Sequence, residues 1–214
     1  MASKLGFSEF RMEPDQMLWD ELLVLFSEVE TDMTMFFRLL SRISNTFSED
    51  SDPLEILGKA FYRPDDIRPE QQEKFQQWII KYQEILAEDG MDPEQRVESM
   101  NLANPKYVLR NYMAQIAIDQ ATEGDPSLIK EMLELLRRPY DEQPEQEKYF
   151  ALRPEWARHR PGCSMLSCSS WIFSISVFNP IFVVSDESVT VLDVSIQAFI
   201  LDVFESLQNK GKFF

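Results

Sequence analysis

A single histidine, His159, stands between Arg158 and Arg160 in a proline-containing stretch, so any hydrolytic triad or histidine acid–base pair would have to be built on it. No nucleophile lies at a spacing that this histidine could orient, and a histidine in a surface loop is the simpler reading. The two cysteines are Cys163 and Cys168. Together with His159 they supply at most three nitrogen or sulfur ligands, at spacings unlike those of zinc fingers. The six glycines (Gly6, Gly58, Gly90, Gly124, Gly162 and Gly211) stand singly. Without a Gly-x-Gly, neither a dinucleotide fingerprint nor a phosphate-cradling loop is built in the usual way. Paired acids such as Asp65-Asp66 and Asp50/Asp52 sit where helices are predicted to start, and capping explains them more simply than catalysis. No calcium-loop spacing occurs. These residues point to no catalytic, cofactor-binding or metal-binding site in this chain.

Composition narrows the partners. The formal net charge is −16 over 214 residues. Such a surface repels phosphate backbones, so nucleic acid and anionic membrane are not expected partners. Sixteen Phe and four Trp, with 44% hydrophobic residues overall, are enough for one substantial core. Two cysteines make no disulfide framework, and fit a reducing or organellar compartment at least as well as secretion. The first residues show neither the apolar run of a signal peptide nor the Arg-rich, acid-poor character of a transit segment. The longest strongly apolar stretch, residues 171–184, is interrupted by Ser174, Ser176, Asn179 and Pro180. At roughly 14 residues it is too short to cross a bilayer as a helix.

The elements that would carry any site read as amphipathic helices. Asp15 precedes a stripe of Leu18, Trp19, Leu22, Leu23, Phe26 and Val29 at helical spacing. Thr31 or Asp32 caps a second run containing Met33, Phe36, Phe37, Leu40 and Ile43. Asp52-Pro53 opens a short helix through Phe61, by the N-cap-then-proline pattern. Pro69 begins a helix whose stripe is Phe75, Trp78, Ile79, Tyr82, Ile85 and Leu86, and Gly90 ends it. Asp92-Pro93, Asn104-Pro105 and Asp125-Pro126 predict three further starts. The second would align Val108, Leu109, Tyr112, Met113 and Ile116 and end near Gly124; the third would end in Arg137-Arg138, which suit the negative end of a helix. Residues 139–162 break the pattern with Pro139, Pro144, Pro154 and Pro161, and predict an irregular strap anchored by Tyr140, Tyr149, Phe150 and Trp156. Residues 171–214 change again, to strand-like alternation in Phe173–Val177 and Val189–Ile196 and a helical pattern from Ala198 to Leu207.

Several stretches resemble the C-terminal region of the SelO family. They are NPKYVLRNYMAQIAI (Asn104–Ile118) after Met100–Ala103, then LLRRPYDEQPE (Leu135–Glu145), then Tyr149, Pro154 and Trp156, and last SCSS (Ser167–Ser170). Upstream, Lys4-Leu5-Gly6 and MTMFFRLL (Met33–Leu40) also fit, so the resemblance runs in order over most of residues 4–170. It implies a predominantly all-α chain, the C-terminal helical part of a kinase-like α+β fold, laid out as a helical region 1–138, a Pro-rich strap 139–170 and a non-family extension 171–214. The extension is not expected to pack as a continuation of the family fold. Either a functional tail or a translated intron would account for it.

The resemblance also implies the parent activity, transfer of AMP from ATP to Ser, Thr or Tyr hydroxyls of proteins, with ATP and magnesium as its cofactors. The lysine–glutamate pair, aspartate base and magnesium ligands of that chemistry have no counterparts here, so the chain alone is expected to be inactive. Its implied partners are the kinase-like core of the parent and, through it, protein substrates; its implied compartment is the mitochondrion if eukaryotic, the cytoplasm if bacterial. Cys168 falls where the family carries a terminal cysteine or selenocysteine, which makes Cys168, and less directly Cys163, redox candidates. Arg158 and Arg160 would favour the thiolate of an exposed cysteine nearby. Asn104, Arg110 and Asn111 read as structural: Asn104 as an N-cap, the others on a polar helix face. A different class of reading, a non-enzymatic helical interaction module using aromatic stripes, remains beside this one.

Overall fold

The computed structural model describes residues 1–43, 53–160 and 163. The predicted starts largely become helices: α1 (Ala2–Leu5), α2 (Pro14–Glu28), α3 (Met33–Leu40), α4 (Pro53–Gly58), α5 (Pro69–Asp89), α6 (Pro93–Ala103), α7 (Asn111–Thr122) and α8 (Ser127–Leu136). Among the described residues there is no sheet, only a single antiparallel bridge between Thr31 and Phe61. Predominantly α is therefore the fold class. Proline opens α2, α4, α5 and α6, where its missing N–H would be an orphan in any case. Asp32 Oδ1 accepts from the Met35 N–H at 3.0 Å, and Asp92 Oδ1 accepts from Glu94 and Gln95 at 3.0 and 3.1 Å. Gly90 ends α5 in the left-handed region at φ 69°. Asp52, the expected cap of α4, lies outside the described residues, as does the tail 171–214.

Two expectations need correction. The helix opened by Pro53 ends at Gly58 rather than Phe61. The chain there turns to bond its neighbour strand-fashion: Asp32 N–H donates to the Ala60 carbonyl at 2.8 Å, and Tyr62 N–H to Glu30 at 3.0 Å. More consequentially, Asn104 does not cap the following helix. It terminates α6, its N–H on the Met100 carbonyl at 2.8 Å and its side-chain amide donating to the Lys4 carbonyl at 3.0 Å. Pro105 disfavours helical backbone in the residue before it, so Asn104 is extended (φ −114°, ψ 102°) and α7 waits until Asn111. The intervening N–H groups of Lys106 and Tyr107 are not lost, because both donate to the Pro139 carbonyl, at 2.8 and 3.0 Å.

The chain forms two compact units. The first is residues 1–107 with 138–152; the second, among described residues, is 108–137 with 153–160 and 163. In the first, the apolar stripe of α5 (Phe75, Trp78, Ile79, Tyr82, Leu86) packs with Leu18, Leu22 and Leu25 of α2 and with α3. The Trp78 and Tyr82 rings stack at 5.4 Å, and Phe36 meets Phe26 edge-on at 4.8 Å. Both polar tips find partners inside: Trp78 Nε1 donates to the Leu18 carbonyl and Tyr82 Oη to the Leu5 carbonyl, each at 2.8 Å. Burial pushes the Tyr82 pKa upward against the pull of Arg96, so its hydroxyl remains a donor.

In the second unit, α7 and α8 are joined by a four-residue link and pack as an αα-hairpin over Met113, Ala117, Met132 and Leu135. The segment from Arg153 lies on it through Trp156, whose ring meets Tyr112 edge-on at 6.2 Å, and through Arg160, paired with Asp119 at 2.5 Å.

Candidate functional site

Within the first unit the buried cations Arg38 and Arg96 lie on α3 or against its C-terminal end, and Lys106 joins Arg38 through a shared carboxylate. Residues Met35–Leu40 are buried without interruption, and Arg38 is among them at 2% exposure. Its guanidinium survives there because both terminal nitrogens meet acceptors. Nη1 donates to the carbonyls of Asn101 and Asn104 at 3.0 Å each, and Nη2 donates to the Tyr140 carbonyl at 3.1 Å and to Glu142 Oε1 at 2.8 Å. Two of those acceptors are the otherwise orphaned carbonyls at the end of α6, where positive charge also suits the helix dipole.

Lys106, 3% exposed, is the second buried cation. The extended backbone after Pro105 directs it to Glu142 Oε2 and Glu147 Oε2, both at 2.6 Å, and over the Phe150 ring at 5.3 Å. One carboxylate, Glu142, thus bridges two cations while its own side chain stays 55% exposed. Burial opposes the charge on Lys106, but the hydrogen bonds to Glu142 and Glu147 outweigh it and its pKa stands above the ordinary value. Burial likewise pushes Glu142 up; Lys106 and Arg38 overcome that and hold it below the ordinary carboxylate range. Arg96 is similarly buried, with Nη2 on the carbonyls of Ser41 (3.2 Å) and Ile43 (2.6 Å), closing the C-terminal end of α3.

Beside Glu142 a shallow cleft of about 610 Å³ is lined by Glu94, Val97, Glu98, Asn101 and Leu102 of α6 and by Tyr140. Chemically this arrangement is suited to fastening. The Arg38 donors are engaged by carbonyls and a carboxylate, and the Lys106 ammonium is held by two carboxylates and so is not a free base. Among the described residues, no group of three His, Cys, Asp or Glu side chains is placed to hold a metal ion.

Residues 1–137, which include the buried cations Arg38, Arg96 and Lys106, match the family model described as protein adenylyltransferase SelO. The chain belongs to the SelO family. It is 51% identical over 179 residues to the protein nucleotidyltransferase YdiU of Rhodopirellula baltica, covering 79% of this chain and 33% of that protein. The YdiU proteins of Xanthomonas axonopodis pv. citri (50% identical) and Methylobacillus flagellatus (46%) match over the same 79% of this chain and 32% of their own length. The chain spans about a third of the length of the curated relatives it matches.

The residues singled out in the sequence are placed one by one. Cys163 is buried, 3% exposed, its N–H on the Arg160 carbonyl at 3.1 Å. Cys168 lies outside the described residues. His159 is exposed after the short 3-10 helix Glu155–Arg158. Arg110 immediately precedes α7 and Asn111 is its first residue, so neither stands mid-helix on a polar face. The bridged cations of this SelO-family chain carry no local signature. Arg38 sits in an apolar run where period alone marks it as a break, and Glu142 sits in an acidic strap where carboxylates are common. The one readable signal is that a charge inside MTMFFRLL has nowhere to go but inward, and must then be paired.

Proposed function

We propose that this chain is the C-terminal helical part of a SelO-type protein adenylyltransferase, serving as scaffold for the kinase-like core of the parent and carrying its terminal redox cysteine, Cys168. The parent would transfer AMP from ATP, with magnesium, to Ser, Thr or Tyr hydroxyls of protein substrates, in the mitochondrion for a eukaryotic protein. The observation that carries this reading is the family match over residues 1–137 in a chain that spans about a third of its relatives' length. A surface feature adds support. Helix α2 buries Leu18, Leu22 and Leu25, yet on its other side exposes Met17 (63%) and Val24 (55%), with Leu23 at 42%. Exposed apolar side chains on the outer side of α2 are what a covering segment of the parent would bury. Among this chain's residues none is proposed to hold ATP–magnesium, since the sequence has no Gly-x-Gly to cradle a phosphate. No step of AMP transfer is therefore assigned to them.

The chain incubated with ATP labelled in its α-phosphate, magnesium and a generic protein acceptor is expected to incorporate no label above a heat-killed control. Incorporation above that control would place the chemistry in this chain and overturn the scaffold reading. The redox role has its own measurement. After mild peroxide, differential alkylation read by mass spectrometry is expected to show Cys168 oxidised well before the buried Cys163. Equal protection of the two thiols would remove Cys168 from that role.

A further inference from the structure

We propose that Glu142 is a releasable clasp: its carboxylate, seated between two buried cations, fastens the strap 138–152, and loss of that one charge frees the strap while α2, α3 and α5 stay folded. The asymmetry of the site carries the inference. Arg38 and Lys106 are 2% and 3% exposed, and Arg38 is tied to α6 through the Asn101 and Asn104 carbonyls whether or not the strap is present. The carboxylate that bridges them is more than half exposed, so it can leave into water without dragging a charge through the core. The cation side is thus built in, and the anion side is detachable.

The rest of the strap's near end is held by polar contacts. The Tyr140 carbonyl accepts from Arg38, the Gln143 carbonyl accepts from the Tyr107 hydroxyl at 2.9 Å, and the Pro139 carbonyl accepts from Lys106 and Tyr107. Tyr140 is 37% exposed, and the hydrophobic side chains of the strap that pack on the core, Phe150 and Leu152, lie at its far end. A segment with few buried apolar contacts opens at lower free energy than the body that carries it. The charged groups around Glu142 favour a two-position arrangement. Arg38 of α3 and Lys106 attract it, Glu147 shares Lys106, and Glu94 and Glu98 line the same cleft, where Arg38 is the one cation among the described residues of its walls. A carboxylate out of its seat is repelled by that cleft and has no second seat there.

Hydrogen exchange of the full 214-residue chain, read by mass spectrometry, tests this. The reporters are the amides of Asp141, Gln146 and Phe150, bonded within the strap, and of Lys106 and Tyr107, bonded to Pro139. Glu142→Gln keeps the shape and removes the charge; it is expected to speed exchange at these amides roughly tenfold while α2 and α5 exchange as in the wild type. Glu145→Gln, an exposed neighbour in the same strap, is expected to change nothing. Equal acceleration of the strap, α2 and α5, or no acceleration anywhere, overturns the clasp. Should Glu142→Gln fail to fold, the wild type answers by acid. Because Glu142 is held below its ordinary range, its contribution is complete above the unfolded-state pKa and is lost as pH falls through the folded value. With intrinsic rates corrected, strap amides must then open at a higher pH than α5 amides; simultaneous opening rejects the proposal.

Discussion

Replacing Arg38 by alanine is expected to cost about 3–5 kcal/mol of unfolding free energy, the range for leaving buried carbonyls without donors and a large buried side chain's space empty. The substitution strips donors from the carbonyls of Asn101, Asn104 and Tyr140 and removes one of the two cations that seat Glu142. It also leaves a hole in a helix that is buried on all sides from Met35 to Leu40. Lysine is not a substitute. Its ammonium offers three donors at a point, whereas the guanidinium here reaches two carbonyls of α6 with one nitrogen and the strap with the other. Arg38→Lys should therefore recover less than half of the loss. Urea titration followed by circular dichroism at 222 nm measures both, and a loss below about 1 kcal/mol for alanine would mean that Arg38 is not structurally required.

Gly6→Ala is expected to destabilise by about 2–5 kcal/mol, the sum of a left-handed backbone cost and overpacking. Gly6 ends α1 at φ 78°, a conformation that disfavours any side chain. A Cβ built there would lie 2.6 Å from Met100 Sδ and 2.9 Å from Arg96 Cγ. Neither neighbour can step aside easily. Met100 is fully buried, and Arg96 is held by the carbonyls of Ser41 and Ile43. By contrast Gly90, at φ 69°, has nothing within 4 Å of such a Cβ, so Gly90→Ala should show the backbone cost alone, about 1–2 kcal/mol. The two variants side by side separate packing from backbone; equal losses would show that the contact with Met100 relaxes freely.

The glycines also show where reading the residues in order works. Gly90 was legible as a helix end because its reason is local: the chain needs a left-handed residue there, whatever lies around it. The same holds for Asp92 as a cap, for Asp32, which the sequence offered beside Thr31, and for the prolines that open α5 and α6, since each satisfies or removes an N–H within its own first turn. The stripe of α5 was legible for a related reason, because a period of 3.6 puts Phe75, Trp78, Ile79, Tyr82 and Leu86 on one side before any partner is known. Family membership came from ordered motifs and needed no geometry.

Asn104 marks the limit. Asn-Pro before an apolar run has the local form of a helix start, and the misreading follows from treating it locally. The carbonyl that takes the Lys106 and Tyr107 amides belongs to Pro139, more than thirty residues along the chain. With those donors satisfied by a distant strap, α7 had no need to begin until Asn111. The candidate site is of the same kind. Nothing near Arg38, Lys106 or Glu142 in the chain says that they meet, since the pairs Arg38–Glu142 and Lys106–Glu142 are separated by 104 and 36 residues. Period and capping act over one or two turns of helix. Which acceptor neutralises a buried charge is decided by whichever segment the packed core brings within 3 Å, and that is a property of the fold.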